Sequence, residues 1–203
     1  MYRRNKKTAQ KGEKQPMKFD VILAGVGGQG VLSLAAIIAT GAMKDNLKVR
    51  QSEVHGMAQR GGAVLSHLRI SDSEIASDLV PKGAAMLVLS MEPLESLRYV
   101  DFLSPDGSIV TAAEPFVNIP NYPETETIYE KIRKFKNHKI VDSVALAKKA
   151  GSSRAANMVI IGAASKILPV SKASLKAAIA ELFSSKGKDV ADINIKAFEL
   201  GAE

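Results

Sequence analysis

Short apolar runs alternate along the chain with segments whose apolar residues recur at helical spacing. The runs at Phe19–Ala24 and Ala85–Ser90 are rich in Val, Ile and Leu, as is typical of strands that are buried on both faces. Further strands are predicted at 48–53, 63–70, 108–112 and 139–142. Segment Val31–Lys44 (VLSLAAIIATGAMK) directly follows the first strand and has the spacing and composition of a helix.

The remaining helices lie mostly toward the end of the chain. They are predicted at 91–103, 125–136, 144–150, 155–168 and 171–183, with Ser171 as the N-cap of the last one. The residues Ser104–Gly107 (SPDG) predict a turn just before a strand. This order predicts an α/β fold: a three-layer, mostly parallel Rossmann-like sheet with helices on both faces and a helical C-terminal quarter.

Composition narrows the classes of protein that the chain can represent. It has 203 residues, 46% of them hydrophobic, which is enough for one domain with a sizeable core. It contains no cysteine, so it holds neither a disulfide nor a thiolate-bound iron–sulfur cluster by itself. No stretch approaches the roughly 18–20 apolar residues of a membrane span. We expect a cytoplasmic protein without a membrane partner.

The positive charge is concentrated at the N-terminus. Residues 1–18 hold seven basic side chains and one acidic side chain, which is six of the net charge of +7. We predict that residues 1–18 form a disordered basic tail and that 19–203 form the domain. The tail could be a solvated arm, a polyanion-binding arm, or an extension ahead of a natural start at Met17. The nearly neutral body gives no reason to expect nucleic acid.

A glycine-rich turn joins the first strand to the first helix. Its sequence is GVGGQG, Gly25–Gly30, which has the G-x-G-x-x-G spacing at the required place. We expect Gly25 and Gly27 to adopt the tight, often positive-φ backbone, Gly27 and Gly28 to leave room for a ligand, and Gly30 to start the helix close to the strand. The free N–H groups there suit a phosphate. The glycines could instead serve packing alone.

Glu53 offers a dinucleotide interpretation of the same turn. Such sites place an acidic residue about 20 residues after the glycines, at the end of the second strand. Glu53 is the one candidate, although it comes late and leads into a second glycine-bearing loop. A free-standing NAD(P)-binding oxidoreductase therefore stays open as an alternative function.

That second loop, Ser52–Gly62 (SEVHGMAQRGG), is the more specific motif. Its glycines permit close backbone approach, and Arg60 offers a bidentate donor. Together with GVGGQG, it resembles the gamma-type domain of 2-oxoacid:ferredoxin oxidoreductases. The segments Ser66–Arg69 (SHLR) and Met91–Tyr99 (MEPLESLRY) add a resemblance to the indolepyruvate branch of that family. The resemblance runs from about Phe19 to Gly201.

The resemblance implies a subunit of a complex that oxidatively decarboxylates aryl 2-oxoacids. Coenzyme A takes the acyl group and ferredoxin takes the electrons, while thiamine diphosphate and [4Fe-4S] clusters belong to a large alpha subunit. No catalytic residue is then expected in this chain. Gly25, Gly27, Gly28, Gln29 and Gly30, with Glu53 and Arg60, are the candidate cofactor-binding residues: the turn toward coenzyme A and Arg60 toward the large subunit. A non-catalytic assembly subunit is the other alternative.

Several other residues attract attention without forming a site. His55 lies in the second loop and could transfer a proton or brace the loop. His67 and His138 lie far from it in the sequence, so we predict no metal site. Asn157 could cap a helix, pack, or donate a hydrogen bond to a loop or ligand. Gly162 permits a close helix contact in the core or at a subunit interface.

Overall fold

One six-stranded mixed sheet forms the centre of the part of the chain that the computed structural model describes, residues 16–55 and 61–203. The strand order is β2-β3-β1-β4-β5-β6, and β1, β4, β5 and β6 pair in parallel. Strand β3 is antiparallel to both of its neighbours. The strands are β1 (Lys18–Val26), β2 (Lys48–His55), β3 (Ala63–Ser71), β4 (Ala85–Ser90), β5 (Leu103–Ala112) and β6 (Asn137–Val141).

Seven α-helices in the described part of the chain cover the two faces of the sheet. Val21 and Leu23 of β1 point into the larger apolar cluster. This cluster also contains buried residues of the helix that follows β1 and of the C-terminal helices. Ile22 points to the other face, where two shorter helices pack. The helices are α1 (Val31–Lys44), α2 (Pro93–Arg98), α3 (Thr125–Arg133), α4 (Ser143–Ala150), α5 (Ala156–Ala164), α6 (Lys172–Phe183) and α7 (Lys188–Ala202). The predicted mostly parallel sheet with helices on both faces is confirmed.

The ends of several elements differ from the sequence-based prediction. Helix α2 has six residues and a 3-10 turn after it, where a single helix through Leu103 was predicted. The predicted turn Ser104–Gly107 lies inside β5, where Ala85 of β4 opposes Leu103 and Leu87 opposes Ser108. The residues with turn propensity therefore form an irregularity of the strand and do not end it. A Cβ on Gly107 would lie 2.7 Å from the Ala85 carbonyl oxygen, which explains a glycine there.

Helix α5 is the buried centre of the helical C-terminal part. All but one of its nine residues are buried, because the sheet covers one side and α7 the other. A Cβ on Gly162 would lie 2.0 Å from the Phe198 carbonyl oxygen, and one on Gly201 would lie 2.1 Å from the Val159 carbonyl oxygen. The two glycines thus let the backbones of α5 and α7 touch. Gly162 therefore permits a helix contact inside the core and does not lie on the surface.

The N-terminal boundary is visible only in part. Residues 1–15 of the predicted tail lie outside the described residues, while β1 begins at Lys18 and Met17 packs against the core. Among the described residues, no helix combines the length and apolar character needed to span a membrane.

Candidate functional site

The carboxyl ends of β1 and β4 form the place where a ligand site is expected in this fold. The two strands are parallel neighbours, and the chain leaves β1 for the α1 face and β4 for the α2 face. In open α/β sheets, ligands bind in the crevice that opens where the connections diverge in this way. The glycine turn Gly25–Gly30 lies at this point.

Internal hydrogen bonds fix the backbone of the glycine turn. The Gln29 N–H donates to the Val26 carbonyl at 3.0 Å, and the Val26 N–H donates to Gln29 Oε1 at 2.7 Å. Gln29 Nε2 donates to the carbonyl of Met91, just after β4, at 3.2 Å. Both ends of this amide therefore hold the turn between the two strands. The predicted contact of Gln29 with a ligand stays a prediction.

The glycines have separate tasks in the turn. Positive φ angles occur at Gly28 (101°) and Gly30 (78°), and not at Gly25 and Gly27, where the sequence led us to expect them. Gly25 is needed because a Cβ there would lie 2.7 Å from Val31 Cγ2. Gly28 is exposed, and a Cβ built on it meets nothing within 4 Å. The ligand-accessible position of the turn is thus Gly28.

The end of the second loop pairs directly with the glycine turn. The Gly27 N–H donates to the Gly62 carbonyl at 2.8 Å, and the Gly61 N–H donates to the Gly27 carbonyl at 3.4 Å. The two motifs from which the family resemblance was drawn are therefore one structural unit. Arg60 and the His55 side chain lie outside the described residues, so their predicted roles stay predictions.

Glu53 lies on the outermost strand and away from the turn. It opposes Ser66 of β3, which in turn opposes Leu23 of β1, so a whole antiparallel strand separates it from β1. Two strand spacings amount to about 10 Å. Gln51 Nε2 also donates to Glu53 Oε1 at 2.6 Å. A dinucleotide site of the usual kind has its acidic strand next to the glycine strand, so this arrangement does not favour the NAD(P) alternative.

Two asparagines hold the paired loops in place. For Asn157, a hydrogen bond to a loop was one of the predicted possibilities, whereas Asn118 was not singled out. Asn157 Nδ2, on α5, donates to the carbonyl oxygens of Gln29 and Gly30. Asn118 Nδ2, between β5 and α3, donates to the Gly61 carbonyl at 2.8 Å. For Asn157 the available signal was one polar residue in an otherwise apolar helix. Nothing in the sequence near Asn118 pointed to this contact.

The SHLR motif holds the segment that follows β3. The Val80 N–H donates to His67 Nδ1 at 3.2 Å, and burial, with the Arg69 charge, lowers the pKa of His67. Arg69 pairs with Asp20 through two hydrogen bonds of 2.8 and 3.0 Å and also donates to two backbone carbonyls of the segment after β3. Both side chains hold that segment against β3.

The MEPLESLRY motif brings two carboxylates into the protein next to the glycine turn. Glu92 is 1% exposed and caps α2 by accepting the Glu95 N–H at 2.7 Å. Glu95 is 2% exposed, and burial raises its pKa although Arg98 donates to it at 2.8 Å. Among the described residues, no cluster of His, Asp and Glu has the arrangement of a metal site.

The N-terminus of α1 has the properties of an anion site. The helix begins with Gly30 as N-cap, no side chain caps it, and no acidic residue lies in its first turn. The positive end of the helix dipole and the first N–H groups of α1 therefore lie at the end of the glycine turn, two residues after the exposed Gly28. A cavity of about 520 Å³ opens at the other, amino edge of the sheet, which is not the edge where this fold binds ligands.

Comparisons with known proteins find relatives that match nearly the whole chain. The indolepyruvate oxidoreductase subunit IorB of Pyrococcus horikoshii is 36% identical over 196 residues, covering 92% of this chain and 95% of that protein. Subunit IorB of Archaeoglobus fulgidus is 36% identical over 194 residues, covering 91% of this chain and 94% of its own.

Solved structures show the same fold. The pyruvate oxidoreductase subunit PORC of Thermotoga maritima superposes with a TM-score of 0.70 at 21% identity, covering 91% of this chain and 95% of that one. The 2-oxoglutarate:ferredoxin oxidoreductase of Magnetococcus marinus, solved with 2-oxoglutarate, coenzyme A and succinyl-CoA, gives 0.72 at 22% identity, covering 91% of this chain and 30% of that one. Residues 20–203 match the family description "Pyruvate ferredoxin/flavodoxin oxidoreductase". The resemblance drawn from the two loops is confirmed, and the chain belongs to the pyruvate ferredoxin/flavodoxin oxidoreductase family.

Proposed function

We propose that this chain is the small subunit of a complex that oxidatively decarboxylates aryl 2-oxoacids such as indolepyruvate, forms the acyl-CoA and reduces ferredoxin. The observation that carries the proposal is the pairing of Gly27 with Gly61 and Gly62, which makes one unit of the two family motifs. Identities of 32–36% to indolepyruvate oxidoreductase subunits over nearly the full length support the aryl substrate class.

Coenzyme A is the ligand that the glycine turn fits best. Its phosphates are anions, and the uncapped start of α1 offers N–H donors with no carboxylate in the first turn. Gly28 leaves the approach to these donors open, since it is exposed and has no neighbour where a Cβ would be. The solved relative from Magnetococcus marinus holds coenzyme A, which supports this choice.

The redox groups belong to a large alpha subunit. The chain has no cysteine and therefore no ligands for a [4Fe-4S] cluster. Thiamine diphosphate in the partner supplies the carbanion chemistry at the keto carbon, and the clusters pass two electrons to ferredoxin. This chain contributes binding and orientation of the acyl acceptor, and the role of Arg60 toward the partner stays a prediction. The cytoplasmic location expected from the sequence stays a prediction.

The substitution Gly28→Asp tests the coenzyme A site in the assembled complex. A carboxylate at this exposed position repels the phosphates, so the KM for coenzyme A should rise at least tenfold, about 1.4 kcal/mol. Gly83→Asp is the matched control, because Gly83 also has a positive φ (75°) and no neighbour where a Cβ would be, but precedes β4 at the amino edge. An unchanged KM in Gly28→Asp, with assembly intact, contradicts the proposal.

Purification tests the proposed partner subunit, and a comparison of substrates tests the proposed preference for aryl 2-oxoacids. The chain should co-purify with a thiamine-binding, cysteine-rich partner, and the complex should prefer indolepyruvate to pyruvate in kcat/KM. Stoichiometric NAD(P) binding by the isolated chain would support the alternative of a free-standing oxidoreductase. Full turnover by the partner alone, without this chain, would show that the subunit is not required for the reaction.

A further inference from the structure

A polar anchor fixes the segment between β5 and α3, residues 113–124, which we call the strap. Glu92 Oε1 accepts hydrogen bonds from the Phe116 N–H at 3.3 Å and from the Tyr122 hydroxyl, while Glu92 Oε2 accepts the Glu95 N–H. One carboxylate oxygen therefore holds both ends of the stretch 116–122. A carboxylate that is 1% exposed is costly unless it is hydrogen-bonded, and these donors satisfy it.

Apolar burial does not hold the outer part of the strap. Phe116 is 42% exposed and Val117 is 69% exposed, so these two side chains add little to the packing that could fix the segment. Hydrogen bonds hold the segment instead: Glu92 accepts two from it, and Glu114 near its start accepts two from the first residues of α4. Burial and the bond to Glu92 raise the pKa of Tyr122, so its hydroxyl stays protonated as the donor across the physiological range.

Asn118 lies between the two anchored ends and reaches the second loop. Its amide donates to the Gly61 carbonyl at 2.8 Å. The Gly61 N–H donates in turn to the Gly27 carbonyl, and the Gly27 N–H donates to the neighbouring carbonyl of Gly62. Hydrogen bonds, joined by short stretches of backbone, thus connect Glu92 through Asn118 to the glycine turn.

We propose that Asn118 is a positioning residue, which the strap and its Glu92 anchor hold in place so that the end of the second loop stays against the glycine turn. The consequence for catalysis rests on the proposed function, in which that turn binds coenzyme A. Without the Asn118 bond, Gly61 keeps, among the described residues, its weak 3.4 Å bond to Gly27, while Gly62 still accepts the Gly27 N–H at 2.8 Å. The Gly61 end of the loop is then held less tightly against the turn.

Two readouts on the assembled complex test this proposal. In Asn118→Ala, amide hydrogen exchange at Gly27 and Gly61 should accelerate about three- to tenfold, the effect of losing one hydrogen bond. The KM for coenzyme A should rise by a similar factor, while kcat for decarboxylation of the oxoacid stays unchanged. Tyr122→Phe, which releases one end of the strap, should shift both readouts in the same direction by less.

Asn137→Ala is the control, since Asn137 Nδ2 also donates to a backbone carbonyl, that of Asp106 at 3.1 Å, but at the amino edge of the sheet. It should change neither readout. Unchanged exchange at Gly27 and Gly61 in both Asn118→Ala and Tyr122→Phe overturns the positioning role. Faster exchange with an unchanged KM supports that role and contradicts the coenzyme A site instead, so the two failures are distinguishable.

Discussion

Asn157 donates from one side-chain nitrogen to the carbonyl oxygens of both Gln29 and Gly30, at 3.1 and 3.2 Å. The contact joins the first motif of the chain to a helix that follows it by more than 120 residues. A Cβ on Gly30 would lie 2.5 Å from that same nitrogen. The absence of a side chain at Gly30 is therefore what lets Asn157 reach the turn.

Replacement of Asn157 should loosen the glycine turn. Asn157→Ala removes both hydrogen bonds and should lower the free energy of unfolding by about 1–2 kcal/mol. Asn157→Asp should cost more, because it places a carboxylate oxygen against two carbonyl oxygens. Denaturant unfolding measures both values. Equal stability of Asn157→Asp and the unmodified chain would contradict the role of this contact.

Gly28 and Gly30 form a matched pair for substitution by alanine. Both have positive φ, so each alanine carries a backbone cost of about 1–2 kcal/mol. Gly28→Ala should show that cost alone, because its Cβ meets nothing within 4 Å. Gly30→Ala should be clearly more destabilising, since its Cβ displaces Asn157. Thermal unfolding of the two variants compares them directly, and equal losses would refute the steric argument.

The contact between α5 and α7 should not accept a methyl group. Gly162→Ala places a Cβ 2.0 Å from the Phe198 carbonyl, so α7 has to move as a whole, at a cost of about 3 kcal/mol or more. Ser165→Ala, one turn away, should be neutral or slightly stabilising, because its buried hydroxyl has no hydrogen-bond partner among the described residues. Circular dichroism during urea unfolding measures both variants. A well-folded, fully stable Gly162→Ala would contradict the close contact.

His67 should make stability depend on pH in the weakly acidic range. Its folded-state pKa lies below the ordinary value of 6.5, mainly through burial, so the unfolded chain binds the proton more readily. The contribution of neutral His67 to the free energy of unfolding is complete above its unfolded-state pKa. It is lost as the pH falls from about 6.5 through the folded-state pKa. Protonation would also abolish the acceptor for the Val80 N–H.

His67→Gln keeps an acceptor for the Val80 N–H. It should reduce the fall in the free energy of unfolding between about pH 7 and pH 5. His138→Gln, at an exposed position, is the control and should retain the decline. Unfolding free energies measured across this pH range distinguish the two variants. An undiminished pH dependence in His67→Gln would mean that another group causes it.

Much of the architecture follows from local pattern. The bounds of α1 and β4 agree with the prediction residue for residue, because an uninterrupted apolar run or helical spacing leaves few alternatives. The N-cap Ser171 is also confirmed, since its side chain accepts the Ser174 N–H at 3.1 Å. The SPDG stretch shows the limit of this reasoning: it lies inside β5 as an irregularity, because the strand pairs with β4 before it at Leu103 and with both neighbours after it from Ser108.

The sequence by itself determined the order of elements, the place of the glycine turn and the family, because periodicity and motifs act over a few neighbouring residues. Only the tertiary structure decided that β3 lies between β1 and β2, which moves Glu53 away from the turn. It alone joined Asn157, Asn118 and Gly62 to that turn. These contacts bring together residues distant in sequence, and they depend on strand order and helix packing, which no local pattern encodes.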